Sequence, residues 1–200
     1  MKWTAPALAY LAVGIGLWGL HSAWGALLAF HIAIIVSLLF ARPNLPINVL
    51  FKSRNTKWVV ASILVCGSSG ITLYFFWSYF GFADDLPVQV ELLGLNTSTW
   101  PAFIMYFALV NPFVEEYFWR GHYGSPTKGL HVYDFVYAGF HALILINKMP
   151  AGAILFGLIV LALAGWFWRQ IAREDQGLLA PVLGHTMADF TILMAVYRSL

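Results

Sequence analysis

Glu115-Glu116-Tyr117-Phe118-Trp119-Arg120-Gly121 brings two adjacent carboxylates and an arginine to the end of an apolar stretch, Leu92 to Val114, that has no charged residue. Ionisable side chains at membrane depth are costly, so they either pair with one another or mark a place where chemistry happens. Two later apolar segments carry His141 and the pair His185/Asp189. Carboxylates and imidazoles are the groups that move protons, activate water and bind metal ions, so function is read from this set.

Glu116 and Arg120 are four apart, share a helix face and can pair, which makes Arg120 a support for the carboxylates. A structural ion pair is the plain alternative for these two. Glu115 points about 100° away from Glu116 on a helix, so one arginine does not serve both carboxylates. A carboxylate without a cation in a low-dielectric setting suits general-base work near neutrality. Asn111-Pro112 lies one turn before; the proline removes the bond to the Ala108 carbonyl, and a kink there would admit water to Glu115. Tyr137 lies one turn before His141 on the same face, and His141 beside a spare carboxylate is a candidate partner in activating water. His185 and Asp189, again four apart, suit metal binding or two donors aimed at one atom. His21, His31, His122 and His131 show no such partners in the sequence and read as interfacial or packing residues.

The elements that must position these groups follow from composition. The 200 residues are 60% hydrophobic and 10% charged, against about a quarter charged in soluble domains. Long unbroken apolar runs are present and barrel-like alternation is not, so the expected fold is all-α, a polytopic transmembrane helix bundle forming a single domain over 1–200. A net charge of +2 gives no reason to expect nucleic acid. The lone Cys66 excludes an internal disulfide and reads as packing. The N-terminal run resembles a signal peptide in pattern, but a retained span is preferred because no charge lies between Lys2 and Arg42.

About seven spans fit: 3–20, 24–41, 58–80, 99–120, 132–147, 151–168 and 178–198. Spans 5 and 7 are the hardest to detect, because Asp134, Lys148 and Asp189 shorten their charge-free windows. Lys2, Arg42, Lys52, Arg54, Lys57, Arg120, Lys128, Arg169 and Arg173 fall on one side of this arrangement, which predicts an N-in, C-out orientation. Glu115, Glu116, His141, His185 and Asp189 would then lie roughly 6–17 Å below the cytoplasmic surface. Three helices placing polar groups in one leaflet can converge on one site.

Glu-Glu-x-x-x-Arg-Gly, aromatic-x-x-x-His and His-x-x-x-Asp, in this order on successive hydrophobic segments, resemble the CPBP family of type II CAAX prenyl endopeptidases and Abi-type proteins. The likeness runs from Trp100 to Met194, a motif-bearing core of about 99–198. It implies membrane-embedded proteolysis, with Glu115 activating water, His141 as its partner, Glu116 and Arg120 completing the first motif, and His185 with Asp189 stabilising the oxyanion. Two positions depart from the pattern: Tyr137 stands where Phe is usual, and Asp189 where Asn is frequent. An ionised Asp cannot donate to an oxyanion, so Asp189 would orient His185 or carry a proton.

The resulting expectation is a membrane-embedded endopeptidase cutting near the cytoplasmic leaflet, with a membrane-associated protein or peptide as substrate and the lipid bilayer as surroundings. It would work without a cofactor, in the plasma or inner membrane of a prokaryote. Two alternatives stand beside it. One is a metal-dependent protease using Glu115, His141 and His185 or Asp189 as ligands of a divalent ion. The other is a non-enzymatic membrane protein of immunity or scaffold type. A carrier is disfavoured because only the C-terminal half holds buried polar groups.

Overall fold

The computed structural model describes residues 3–200, and every element among them is helical. Lys2, counted above among the inner basic residues, lies outside the described residues. The order is α1 (Thr4–Gly14, continued by a π turn, Ile15–Gly19), α2 (Ala23–Ala41), α3 (Thr56–Phe75), α4 (Leu86–Leu92), α5 (Trp100–Glu116, continued by a π turn, Tyr117–His122), α6 (Val132–Gly139), α7 (His141–Leu145), α8 (Ala151–Asp175) and α9 (Leu179–Ser199). Short 3-10 turns, Ile47–Phe51 and Trp77–Phe80, flank α3.

Among the described residues four helices, α2, α3, α8 and α9, are long and apolar enough to cross a membrane. The span expected to be among the hardest to detect, 178–198, is one of them, whereas α5, which looked plain in sequence, is not. Its last turns hold Asn111, Pro112, Glu115 and Glu116, all buried, and these dilute its apolar character. The predicted span 132–147 is broken: α6 ends at Gly139 and α7 begins at His141. The predicted span 151–168 continues two turns further, to Asp175.

Several caps explain the boundaries. Ser22 accepts the Gly25 N–H at the start of α2, and Asn55 accepts the Lys57 N–H at the start of α3. His131 and Asp134 form a reciprocal capping box at α6. Helices α2 and α8 end on left-handed residues, Arg42 and Gln176.

The most extensive packing joins α3 to α9. A Cβ added at Gly70 would come 2.0 Å from the backbone carbon of Thr191, so only glycine lets these two helices meet there. Large apolar side chains such as Leu39, Phe40, Leu64, Phe75 and Leu155 stay exposed on the outside, as suits a surface facing lipid tails. Polar residues turn inward: Asn111, Glu115, Glu116, Arg120, Asp134, Arg169 and His185 are all buried.

Asp134 holds Arg169 through two hydrogen bonds, 2.9 and 2.7 Å. The same guanidinium donates to the carbonyls of Ser125, Thr127 and Gly129, fixing the segment between the first motif and α6. The sequence reading placed Arg169 in a loop beside the membrane; the extra turns of α8 carry it into the interior instead.

Candidate active site

The first motif lies where α5 gives way to its π turn. The Tyr123 N–H donates to the Phe118 carbonyl five residues back, 3.0 Å, the hydrogen-bond span of a π turn, a feature frequent at functional sites. Glu115 and Glu116 are 2% and 0% exposed, so neither carboxylate is hydrated from bulk water in this arrangement.

Their partners differ. Glu116 Oε1 receives His185 Nδ1 at 2.8 Å and lies 3.2 Å from Arg120 Nη1. Glu115 has a buried Oε2 without a hydrogen-bond partner. Arg120 lies flat over Tyr137, 4.1 Å from the ring centre, with Trp168 at 5.0 Å. Neither of its terminal nitrogens has an acceptor in hydrogen-bonding geometry. A Cβ at Gly165 would approach Tyr137 to 3.0 Å and Arg120 Nη2 to 3.3 Å, so α8 presents a bare backbone to make room for this stack.

His185 stacks on Trp168, with centroids 4.5 Å apart and planes 20° from parallel. Its Nε2 lies 3.5 Å from Asp189 Oδ1, looser than a hydrogen bond. Asp189 Oδ2 accepts from Asn111 Nδ2 at 3.2 Å. The Asn111 oxygen in turn meets His31 Nε2 at 3.0 Å, and His31 Nδ1 meets the Tyr106 hydroxyl at 3.2 Å. His31 is thus a correction to the sequence reading: it is 3% exposed and fully engaged. Its partners lie 75 and 80 residues away, so no local spacing could have pointed to it.

His141 occupies the first position after the break in helix α6–α7. The terminus of α6 leaves carbonyls without helical partners, and His141 Nδ1 lies 3.2 Å from one of them, that of Ala138. A carbonyl only accepts, so Nδ1 carries the proton and Nε2 presents its lone pair. Phe140 stacks on the ring at 4.1 Å, and Tyr137 meets its edge at 5.5 Å. Tyr137 also stands 6.2 Å from His185, making it the wall shared by both histidines and Arg120. Among the described residues no hydrogen bond joins Glu115 to His141.

Both nitrogens of His185 face carboxylates and His141 Nδ1 faces a carbonyl. Among the described residues, no three His, Cys, Asp or Glu side chains gather as ligands. A cavity of about 400 Å³ opens beside the first motif, bounded by Leu45, Val49, Arg120, Gly121 and Leu178.

A helical bundle with apolar outer faces and a buried carboxylate–histidine cluster suits an integral membrane protein. Residues 97–191 match the family model described as type II CAAX prenyl endopeptidase Rce1-like. Through this segment the chain is similar to the CAAX-protease-like membrane endopeptidases that its motifs resemble. The match contains all three motifs and leaves out α1 to α4. Comparison with curated proteins and with solved structures gives no match.

Proposed function

We propose that this protein is a multi-pass membrane endopeptidase that hydrolyses a peptide bond of a membrane-associated substrate near the cytoplasmic leaflet, with Glu115 as the general base. The observation that carries this reading is that each carboxylate has one buried oxygen without a hydrogen-bond partner, but only Glu116 is held through its other oxygen by His185 and Arg120. A carboxylate not tied to an arginine or a histidine can accept a proton; one already held by both serves as their anchor.

In the proposed reaction a water enters between Glu115 and the lone pair of His141 Nε2. Glu115 takes one of its protons, and the hydroxide oxygen bonds to the scissile carbonyl carbon. The resulting oxyanion needs a donor. With Glu116 accepting from Nδ1, the Nε2 side of His185 has only the loose 3.5 Å contact to Asp189 and can turn its N–H to the oxyanion. Asp189, an acceptor flanked by the Asn111 amide, orients the imidazole. Collapse breaks the C–N bond, and the amine departs with the proton Glu115 had taken. Arg120 and Tyr137 hold the carboxylate and imidazole rings in place. The arrangement suits a prokaryotic plasma membrane with the N-terminus inside, the side on which the basic residues cluster.

The test is cleavage by purified protein in vesicles, with native substrates found by comparing membrane-protein termini between cells carrying wild type and Glu115→Gln. Glu115→Gln and His141→Ala should each lower the rate about 10²- to 10⁴-fold, the usual contribution of acid–base groups. Wild-type rates in both variants would sink the assignment.

A further inference from the structure

The three motifs account for Glu116, His185 and Asp189, but the chain of contacts does not stop there. It continues through Asn111 to His31 and Tyr106, crossing from α9 through α5 to α2. Helix α2 lies outside the segment matched by the family model, so this extension is a property of how the N-terminal helices pack.

The polarity of the chain can be worked out atom by atom. An Asp carboxylate only accepts, so the Asn111 amide must turn its NH2 towards Asp189 and its carbonyl oxygen towards His31. That oxygen in turn requires a donor, so His31 carries its proton on Nε2. Nδ1 is left as an acceptor, and the Tyr106 hydroxyl donates to it. Every link then has one donor and one acceptor. Asn111 is 1% exposed and His31 is 3% exposed, so bulk water cannot substitute for either link.

An asparagine amide is nearly symmetric in shape and can rotate by half a turn. The flipped form would set its carbonyl oxygen against the Asp189 carboxylate and its NH2 against His31. The Asp189 carboxylate opposes the flip on one side, and on the far side the Nε2–H of His31 opposes it as well, because the flipped amide would require that proton to move to Nδ1. We propose that His31 is a positioning residue for the hydrolysis proposed above: it anchors the Asn111 amide from the far side in the polarity that Asp189 requires, and the anchored amide holds Asp189 against the His185 imidazole. His31 touches no reacting atom and acts wholly through Asn111.

Three variants and one spectrum test this. His31→Leu removes the donor at similar bulk and should lower kcat about 10- to 100-fold, the usual effect of a residue that orients a site group through another, with KM changed less than about twofold. His31→Gln keeps an N–H able to reach the Asn111 oxygen and should return kcat to within about fivefold of wild type. In an Asp189→Asn background, where residue 189 can pair with either amide orientation, His31→Leu should cost less than about twofold further, a strongly non-additive cycle.

Equal losses in the Leu and Gln variants, or additive losses in the cycle, would show that His31 only fills space and would overturn the proposal. The nitrogen-15 spectrum of histidine-labelled wild-type protein needs no substrate. It should show His31 protonated on Nε2, and protonation on Nδ1 overturns the proposal whatever the kinetics. If the wild type cleaves nothing, the hydrolytic reading fails, while the spectrum still decides the polarity on its own.

Discussion

Two buried arginines in this protein each face a carboxylate, and they are held in opposite ways. Arg169 is saturated: two bonds to Asp134 and further bonds to three backbone carbonyls use its donors in full. Arg120 has a single 3.2 Å ion pair to Glu116, two aromatic faces for neighbours, and terminal nitrogens without aligned acceptors. A buried donor without a partner is destabilising by about 1–3 kcal/mol. A fold built for stability alone would treat both arginines as it treats Arg169. The difference separates a clamp from the proposed site, where Arg120, Glu115 and Glu116 all keep unmatched polar atoms.

The largest effect on stability should come from the clamp. Arg169→Leu leaves Asp134 charged, buried and deprived of its guanidinium, which is expected to cost about 3–5 kcal/mol. Thermal unfolding of the purified protein in detergent reads this, and activity should fall only with the folded fraction. The comparison breaks if Arg169→Leu is no less stable than Arg120→Leu. The second variant should cost less, about 1–3 kcal/mol, because Glu116 keeps His185 as a partner. Its turnover per folded molecule should fall more than about tenfold, since a Glu116 without its cation no longer holds His185 steadily. An Arg120→Leu protein with wild-type turnover would assign Arg120 to structure alone. The smallest effect should come from Gly165→Ala, whose methyl would press on Tyr137 and Arg120. It should cost about 1 kcal/mol, an overpacking effect, and should lower turnover while leaving the Arg169 clamp intact, as seen by slow hydrogen exchange of the segment around Thr127.

This contrast also explains what could be read from the chain. Glu116 with Arg120, and His185 with Asp189, are four apart on single helices, so helical geometry alone brings each pair together. The apolar runs likewise mark α2, α3, α8 and α9 by length and composition. Contacts between helices leave no such trace. His31 looked like packing because its partners come from α5, and Arg169 looked like a loop residue because Asp134 lies 35 positions earlier. The break between Gly139 and His141 was hidden for another reason: the apolar pattern runs through it without a proline to announce it.

The π turn at Tyr117–His122 sets a register for everything that follows it. It holds one more residue than an α-helical turn would need. Removing one residue there would leave Glu115 and Glu116 where α5 fixes them and rotate the chain beyond by about 100°, the angle of one helical step. Arg120 would swing off Tyr137 and Trp168, and the segment clamped by Arg169 would no longer meet its carbonyl hooks. The two arginines are thus tied to a single inserted position, and the length of this turn sets their placement together.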